Sequence, residues 1–230
     1  MRCYVESDGR IYLVRRDGLL DLPTPDELPF PIERVAPLGR GPESGRGPGP
    51  GPGPECGCEP ETWFCVPTLG SHPFAWPSKD DVPLLSDVTP RVRAAVHASM
   101  PRVVVEGICI ENGRALLVLG SRGLNEGRWS LPGGFLRFGE SPERGLLREI
   151  EEELGAPATL LHPAGVHAKL GPNTHLHWIM FFYRFSLGGR LNPDPDEIAE
   201  ARFIDVHEAA ALLHDPAMTD AVRREGALSG

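Results

Sequence analysis

The carboxylates of "REIEEELGA", Arg148 to Ala156, have the type and spacing to hold a hard divalent cation such as Mg²⁺ or Mn²⁺. Ser141 is a good helix N-cap, Pro142 suits the first helical position, and Gly155 is a natural stop. Projected at roughly 100° per residue, Glu149, Glu152 and Glu153 share one arc of that helix. Leu146, Leu147, Ile150 and Leu154 fill a neighbouring arc and form the expected buried stripe. Arg144, Arg148 and Glu151 project elsewhere. A solvated acidic face with an Arg148–Glu152 pair is the ordinary account of such a segment. Two facts weigh against it. Like charges three and four residues apart destabilise a helix, and the macrodipole disfavours anions in the last turn, where Glu152 and Glu153 sit. A bound cation reverses both penalties.

The preceding residues agree. Gly133 and Gly134 permit a tight turn and the close approach of a ligand. Glu140 stands just before the N-cap, so the order is Gly134, five residues, Glu140, seven residues, then Arg148 to Ala156. With every defining position filled, the segment resembles the Nudix box, GX5EX7REUXEEXGU with U aliphatic or small apolar. The "LPGG" ending at Gly134 resembles the usual entry to it. The resemblance spans about residues 101 to 225.

It implies an α/β/α sandwich with a mixed β-sheet. It also implies hydrolysis, with Mg²⁺ or Mn²⁺, of the pyrophosphate bond in a nucleoside diphosphate linked to another group. By the same resemblance Glu149, Glu152 and Glu153 are metal ligands and Gly134 offers a backbone carbonyl. Arg148 holds a carboxylate in its rotamer, and Glu140, with Gly133, supports the loop. The base that takes the proton from water varies in position across the superfamily. It is Glu153 or Glu152 in the box, or a later carboxylate, where Glu197 is favoured over Glu200. A solvated acidic turn is the plain alternative for both later residues.

Substrate signals are thinner. Arg122 and Arg128 could meet phosphates or simply face solvent. Pro172 lies sixteen residues beyond Ala156, where ADP-ribose pyrophosphatases often carry a proline. It inclines the reading towards ADP-ribose or a nucleotide sugar. Cys56, Cys58 and Cys65, with His72 nearby, raise an NADH-pyrophosphatase-like zinc segment. The paired CxxC spacing is missing, so free thiols beside a linker are the simpler account. Strand alternation places His175 and His177 on one face. Trp178, Phe181, Phe182, Tyr183 and Phe185 read mostly as core, with one available to stack on a base. A nucleotide-sensing module without catalysis is the competing class; such sensors often lose box glutamates, and this box is complete.

The elements that must position these residues begin near Pro101. "RVVVEGICIENGRALLVLG" predicts a hairpin around Asn112-Gly113, "RWSLPGG" a strand, and 158–170 and 175–187 two more. "ARFI" leads into a helix capped by Asp205, with Glu208 three residues on. Upstream, Asp8-Gly9 predicts another hairpin, and its likeness to the Asn112-Gly113 segment reflects either duplication or repeated turn chemistry. The expected organisation is an N-terminal hairpin segment (1–38), a Gly/Pro-rich linker (39–61), an aromatic, proline-rich segment ending in a short helix near Thr89-Pro90 (62–100), and the catalytic domain (101–230). The aromatics Trp63, Phe64, Phe74 and Trp76 are expected to lie against a surface without regular structure.

The 230 residues carry a net charge of −9. That disfavours nucleic acid and anionic membranes as partners and leaves a small-molecule nucleotide derivative. No apolar run approaches a membrane span, the N-terminus lacks a secretory pattern, and the odd count of five cysteines fits a reducing compartment. A cytoplasmic protein is expected, with a homodimer left open.

Overall fold

The computed structural model describes residues 1–38, 62–171 and 176–228; the 39–61 tract, Cys56, Cys58, Pro172 and His175 lie outside them. The chain forms two compact units, Met1–Pro101 with Leu170–His177, and Arg102–Lys169 with Trp178–Gly230.

In the first unit, β1 (Arg2–Ser7) and β2 (Arg10–Tyr12) close a hairpin over Asp8 and Gly9, at φ 49° and 71°. Positive φ at both central residues is what the twist of a two-residue hairpin requires. β3 (Val14–Arg16) and β4 (Leu19–Asp21) repeat the device over Asp17-Gly18. A third such turn stands at Asn112-Gly113. β5 (Ile32–Pro37) and β6 (Thr62–Pro67) complete a sheet of order β2-β1-β6-β5. Trp63 and Phe64 therefore occupy an interior strand, parallel to β1, where irregular structure was expected. The prolines on either side hid a strand whose β-branched and aromatic residues favour pleated pairing. Helix α1 (Pro90–Ser99), capped by Thr89, covers the sheet through Val92, Ala95 and Val96, packed with Tyr4, Ile11 and Leu22.

The second unit carries the box. Its strands are β7 (Arg102–Ile108), β8 (Ile110–Glu111), β9 (Arg114–Gly120), β10 (Trp129–Ser130), β11 (Gly133–Phe135), β12 (Ala158–Leu170), β13 (His177–Leu187) and β14 (Ile198–Asp205). They form a mixed sheet, β11-β7-β13-β12, and an antiparallel one, β10-β9-β14, with β8 paired to β9. β7 and β13 run parallel, whereas β11 is antiparallel to β7. Alternation sorts the side chains into two layers. Val105, Leu116, Val118, Tyr183 and Phe185 pack under helix α2 (Pro142–Leu154). Val104, Ile108, Leu117, Met180 and Phe182 pack against α3 (Val206–Leu212) and α4 (Pro216–Leu228). The result is the α/β/α sandwich. Asp205 caps α3 by accepting from His207 N–H at 2.9 Å rather than from Glu208. The strand through "RWSLPGG" breaks at Leu131-Pro132 and resumes at the glycines, because proline has no amide to give a ladder. No helix among the described residues is long and apolar enough to cross a membrane.

Candidate active site

Helix α2 opens where Ser141 accepts from the Arg144 amide and ends at Gly155 in the left-handed region, φ 57°. Leu146, Ile150 and Leu154 are buried. Leu147, expected in the stripe, is only half-buried, whereas Gly145, outside it, is buried against Leu136. The apolar stripe thus anchors one side of α2 and leaves the carboxylate arc facing β11.

Arg148 is the principal departure from the helical projection. Its side chain does not point away; it folds back among the acids. Nε and Nη2 donate to the two oxygens of Glu140 at 2.9 and 2.8 Å, and Nη1 donates to Glu149 at 2.7 Å and Glu152 at 2.9 Å. Nη2 also reaches the Phe135 carbonyl at 3.1 Å. A planar fork with five donors is suited to such a junction, and a lysine is not. Glu140 takes a further bond from the Arg137 amide at 2.9 Å, and Arg148 together with that amide holds its carboxyl down at about 2.

The three box glutamates occupy different environments. Glu152 is exposed, bridging Arg148 and, at 2.8 Å, Arg137. Glu149 is half-buried; burial raises its carboxyl against the lowering effect of Arg148. Glu153 is the most enclosed. Burial, opposed by one hydrogen bond from Gly133 N–H at 3.0 Å and aided by the charges of Glu149 and Glu197, pushes it up to about 8.

Both glycines are needed as glycines. A Cβ on Gly133 would stand 2.1 Å from the Val105 carbonyl oxygen, at φ 150°. A Cβ on Gly134 would stand 2.7 Å from the Glu149 carboxylate. The ladder also assigns their backbone groups. Gly107 N donates to Pro132 O and Leu136 N to Val103 O, so Gly134, two residues from each, faces β7 in the same alternation. Its carbonyl is turned to Val105, away from the carboxylates. The Gly133 backbone lies on the free edge of β11, where its amide meets Glu153 at 3.0 Å.

The donor set suits a divalent cation, since hard oxygens from two or three carboxylates and one carbonyl border a glycine turn that leaves the space open. Among the described residues no three acidic, His or Cys side chains stand together as a ready-made cage. Arg148 and the Gly133 amide are the positive partners around which the acids are spread.

The NUDIX domain profile matches residues 100–224, over half of the chain. The chain belongs to the Nudix family. It is similar to the ADP-ribose pyrophosphatase of Methanocaldococcus jannaschii, 32% identical over 117 residues, which cover 50% of this chain and 68% of that protein. The NAD-capped RNA hydrolase NudC of Pseudomonas putida is 31% identical over 115 residues, 50% of this chain and 41% of that protein. The chain thus spans less than half the length of that second relative. Among solved structures, the NUDIX domain of Shewanella oneidensis NrtR complexed with ADP ribose shares the fold, with a TM-score of 0.50 at 14% identity, covering 57% of this chain and 90% of that one. The complete box and these relatives make the chain a Nudix hydrolase.

Outside the Nudix box, Glu197 pairs with Arg122, while its charge reaches Glu149 and Glu153. Two residues singled out separately in the sequence thus meet. Arg128 is exposed on the loop before β10. Glu200 turns to Arg202 at 3.4 Å. Cys65 is buried in β6 with its thiol directed at the Trp63 carbonyl, 3.6 Å away, and burial pushes that thiol up to about 12. The thiol is thus enclosed in the first unit, in the same cluster as Cys3 and Val5.

Sequence reasoning missed Glu106, Arg137 and Lys169. Glu106 is buried on β7 with its carboxyl raised well above the usual range by burial, then by Glu153. Lys169 pairs with Asp215 at the start of α4 and also feels Glu106. The signal for Glu106 was available as a lone acid in the apolar run "RVVVEGICI".

Proposed function

We propose that this Nudix hydrolase cleaves the diphosphate bond of a nucleoside diphosphate linked to another group by attack of water on phosphorus, with Mg²⁺ or Mn²⁺. The observation that carries the reading is the grouping of Glu149, Glu152 and Glu153 beside the Gly133 backbone, with Arg148 and Glu140 fixing the approach. Glu149, Glu152, Glu153 and the Gly133 carbonyl would hold the metal. When bound, the ion neutralises charge developing on phosphoryl oxygens and makes the attacking water more acidic. Arg148 keeps Glu149 and Glu152 in their rotamers, so the ligands need little rearrangement. Glu197 is the favoured acceptor of the water proton, oriented by Arg122, with Glu152 and Glu153 as the box alternatives. Arg122 and Arg128 lie exposed, available to phosphate oxygens.

ADP-ribose or a nucleotide sugar is the favoured substrate class. The name of the Methanocaldococcus jannaschii relative and the ADP ribose bound by the NrtR domain support it, as does Pro172 by its sequence position. A cytoplasmic enzyme acting on a small molecule is part of the same reading, supported by the free cysteines Cys3, Cys65 and Cys109.

The test is a panel of ADP-ribose, nucleotide sugars, NADH and nucleoside triphosphates incubated with Mg²⁺ or Mn²⁺. Release of a nucleoside monophosphate from at least one diphosphate-linked compound is expected. No turnover with any metal, alongside tight nucleotide binding, would replace this reading by the sensor.

A further inference from the structure

Position 137 falls among the five residues that the box spacing leaves open between Gly134 and Glu140, and here it is an arginine. Its backbone is held twice by Glu140. The Arg137 amide donates to that carboxylate at 2.9 Å, and its carbonyl accepts from the Glu140 amide at 3.0 Å. The side chain is held differently. Among the described residues the guanidinium has one hydrogen bond, from Nη2 to Oε1 of Glu152 at 2.8 Å, and it is 64% exposed. Phe138 beside it is exposed, and a Cβ on Gly139 would meet nothing within 4 Å. The guanidinium therefore has room to leave Glu152 while its backbone stays in place.

Glu152 meets two arginines, and they are not equivalent. Arg148 donates to Oε2 at 2.9 Å with a side chain only 16% exposed, and its bonds to Glu140, Glu149 and the Phe135 carbonyl fix it there. Arg137 reaches Oε1 from the solvent side. An exposed pair of that kind is weak, because water competes for both ions and two long side chains lose freedom. A cation drawn to Glu152 therefore displaces Arg137 and leaves Arg148 where it is. We propose that Arg137 is held in reserve on Glu152 and, once a cation takes that carboxylate, moves to an oxygen of the substrate diphosphate. The inference rests on the metal and diphosphate reading given above. An anion that shares the cation with Glu152 lies beside the carboxylate that Arg137 already reaches, so a change of rotamer suffices. The guanidinium fork suits phosphoryl oxygens, and its charge offsets part of the negative charge that a diphosphate brings to an acidic site. Metal and substrate are thereby coupled. The first frees the group that holds the second, and reciprocity requires the diphosphate to tighten the metal.

Two titrations without turnover provide the test. The first measures Mn²⁺ alone by calorimetry for the wild type, Arg137→Leu, Glu152→Gln and the double variant. The expected result is that Arg137→Leu binds Mn²⁺ about threefold more tightly than the wild type. The same substitution should have no effect once Glu152→Gln is present. The second titration, at saturating Mn²⁺, uses the analogue of ADP whose bridging oxygen is replaced by a methylene group. Arg137→Leu should bind it about tenfold more weakly, and Arg137→Lys should recover part of the loss. Thermal melts establish that the variants are folded. Equal tightening of Mn²⁺ in both backgrounds would reduce Arg137 to a distant charge and overturn the exchange. Mn²⁺ affinity that is unchanged or lower in Arg137→Leu, or undiminished affinity for the analogue, would overturn it as well. The hydrolysis panel is read on the wild type, so an inactive enzyme that gives the expected titrations loses the reaction and keeps the role of Arg137.

Discussion

The amide of Gly133 donates to a carboxylate oxygen of Glu153 at 3.0 Å. It is the one bond that lowers the Glu153 carboxyl, against burial and three neighbouring acids. The last turn of α2 therefore supports an acid that is poorly solvated and poorly compensated until a cation arrives.

Stability of the metal-free protein should fall as pH rises. Glu153 titrates near 8 in the fold, above its ordinary value of 4.5, so the native state holds a proton that the unfolded chain has released. The stabilisation is fully present below the unfolded value and is lost as pH climbs through about 8, at up to roughly 1.4 kcal/mol per pH unit. Glu106 and Glu149, also raised by burial, act in the same direction. Calorimetry in a chelator between pH 5 and 8 should show a declining melting temperature. Glu153→Gln, which keeps an acceptor for Gly133, should flatten the decline. An unchanged slope in that variant would show that Glu153 does not carry it.

Added Mg²⁺ or Mn²⁺ should reverse that trend, because metal binding displaces the proton. The rise in melting temperature on metal addition is expected to be larger at pH 8 than at pH 5.5. It should shrink in Glu149→Gln and Glu153→Gln. A metal-induced shift that ignores both substitutions would place the ion elsewhere.

The two glycines should fail differently when changed to alanine. In Gly133→Ala the new Cβ meets the Val105 backbone oxygen at 2.1 Å, in a conformation that L side chains rarely adopt. Neither atom can yield cheaply, and a loss on the order of 2 kcal/mol or more is expected. In Gly134→Ala the obstacle is the Glu149 carboxyl end, which can swing aside. That variant should keep its melting temperature within a few degrees and bind metal about tenfold more weakly, which titration calorimetry would read.

What the sequence disclosed follows from what each signal encodes. Ser141, Pro142 and Gly155 bound α2 because capping is local chemistry, and the box spacing marks a site whose parts lie within one turn–helix unit. Arg148 was misplaced by projection alone. A helical wheel positions Cβ atoms, whereas a long guanidinium goes where three carboxylates draw it. The Arg122–Glu197 pair and the Glu106–Lys169 proximity join residues far apart in sequence, and only the β9–β14 and β7–β13–β12 neighbourhoods bring them together. Helix α4 was overlooked although Asp215-Pro216 marks its start, with Asp215 accepting from the Ala217 amide at 2.9 Å.

Catalysis should depend on the shape of Arg148 as well as its charge. Its fork serves Glu140 through two nitrogens, Glu149 and Glu152 through a third, and the Phe135 carbonyl besides. Arg148→Lys keeps the charge and satisfies one or two of these acceptors at a time. Glu149 and Glu152 then lose their fixed rotamers and must be ordered by the metal itself. The expected outcome is a loss of about tenfold to a hundredfold in metal affinity and a comparable fall in kcat/KM, only partly restored by saturating Mg²⁺ or Mn²⁺. If Arg148 served charge balance alone, the lysine variant would match the wild type once metal is saturating. Steady-state rates over a metal titration separate the two outcomes.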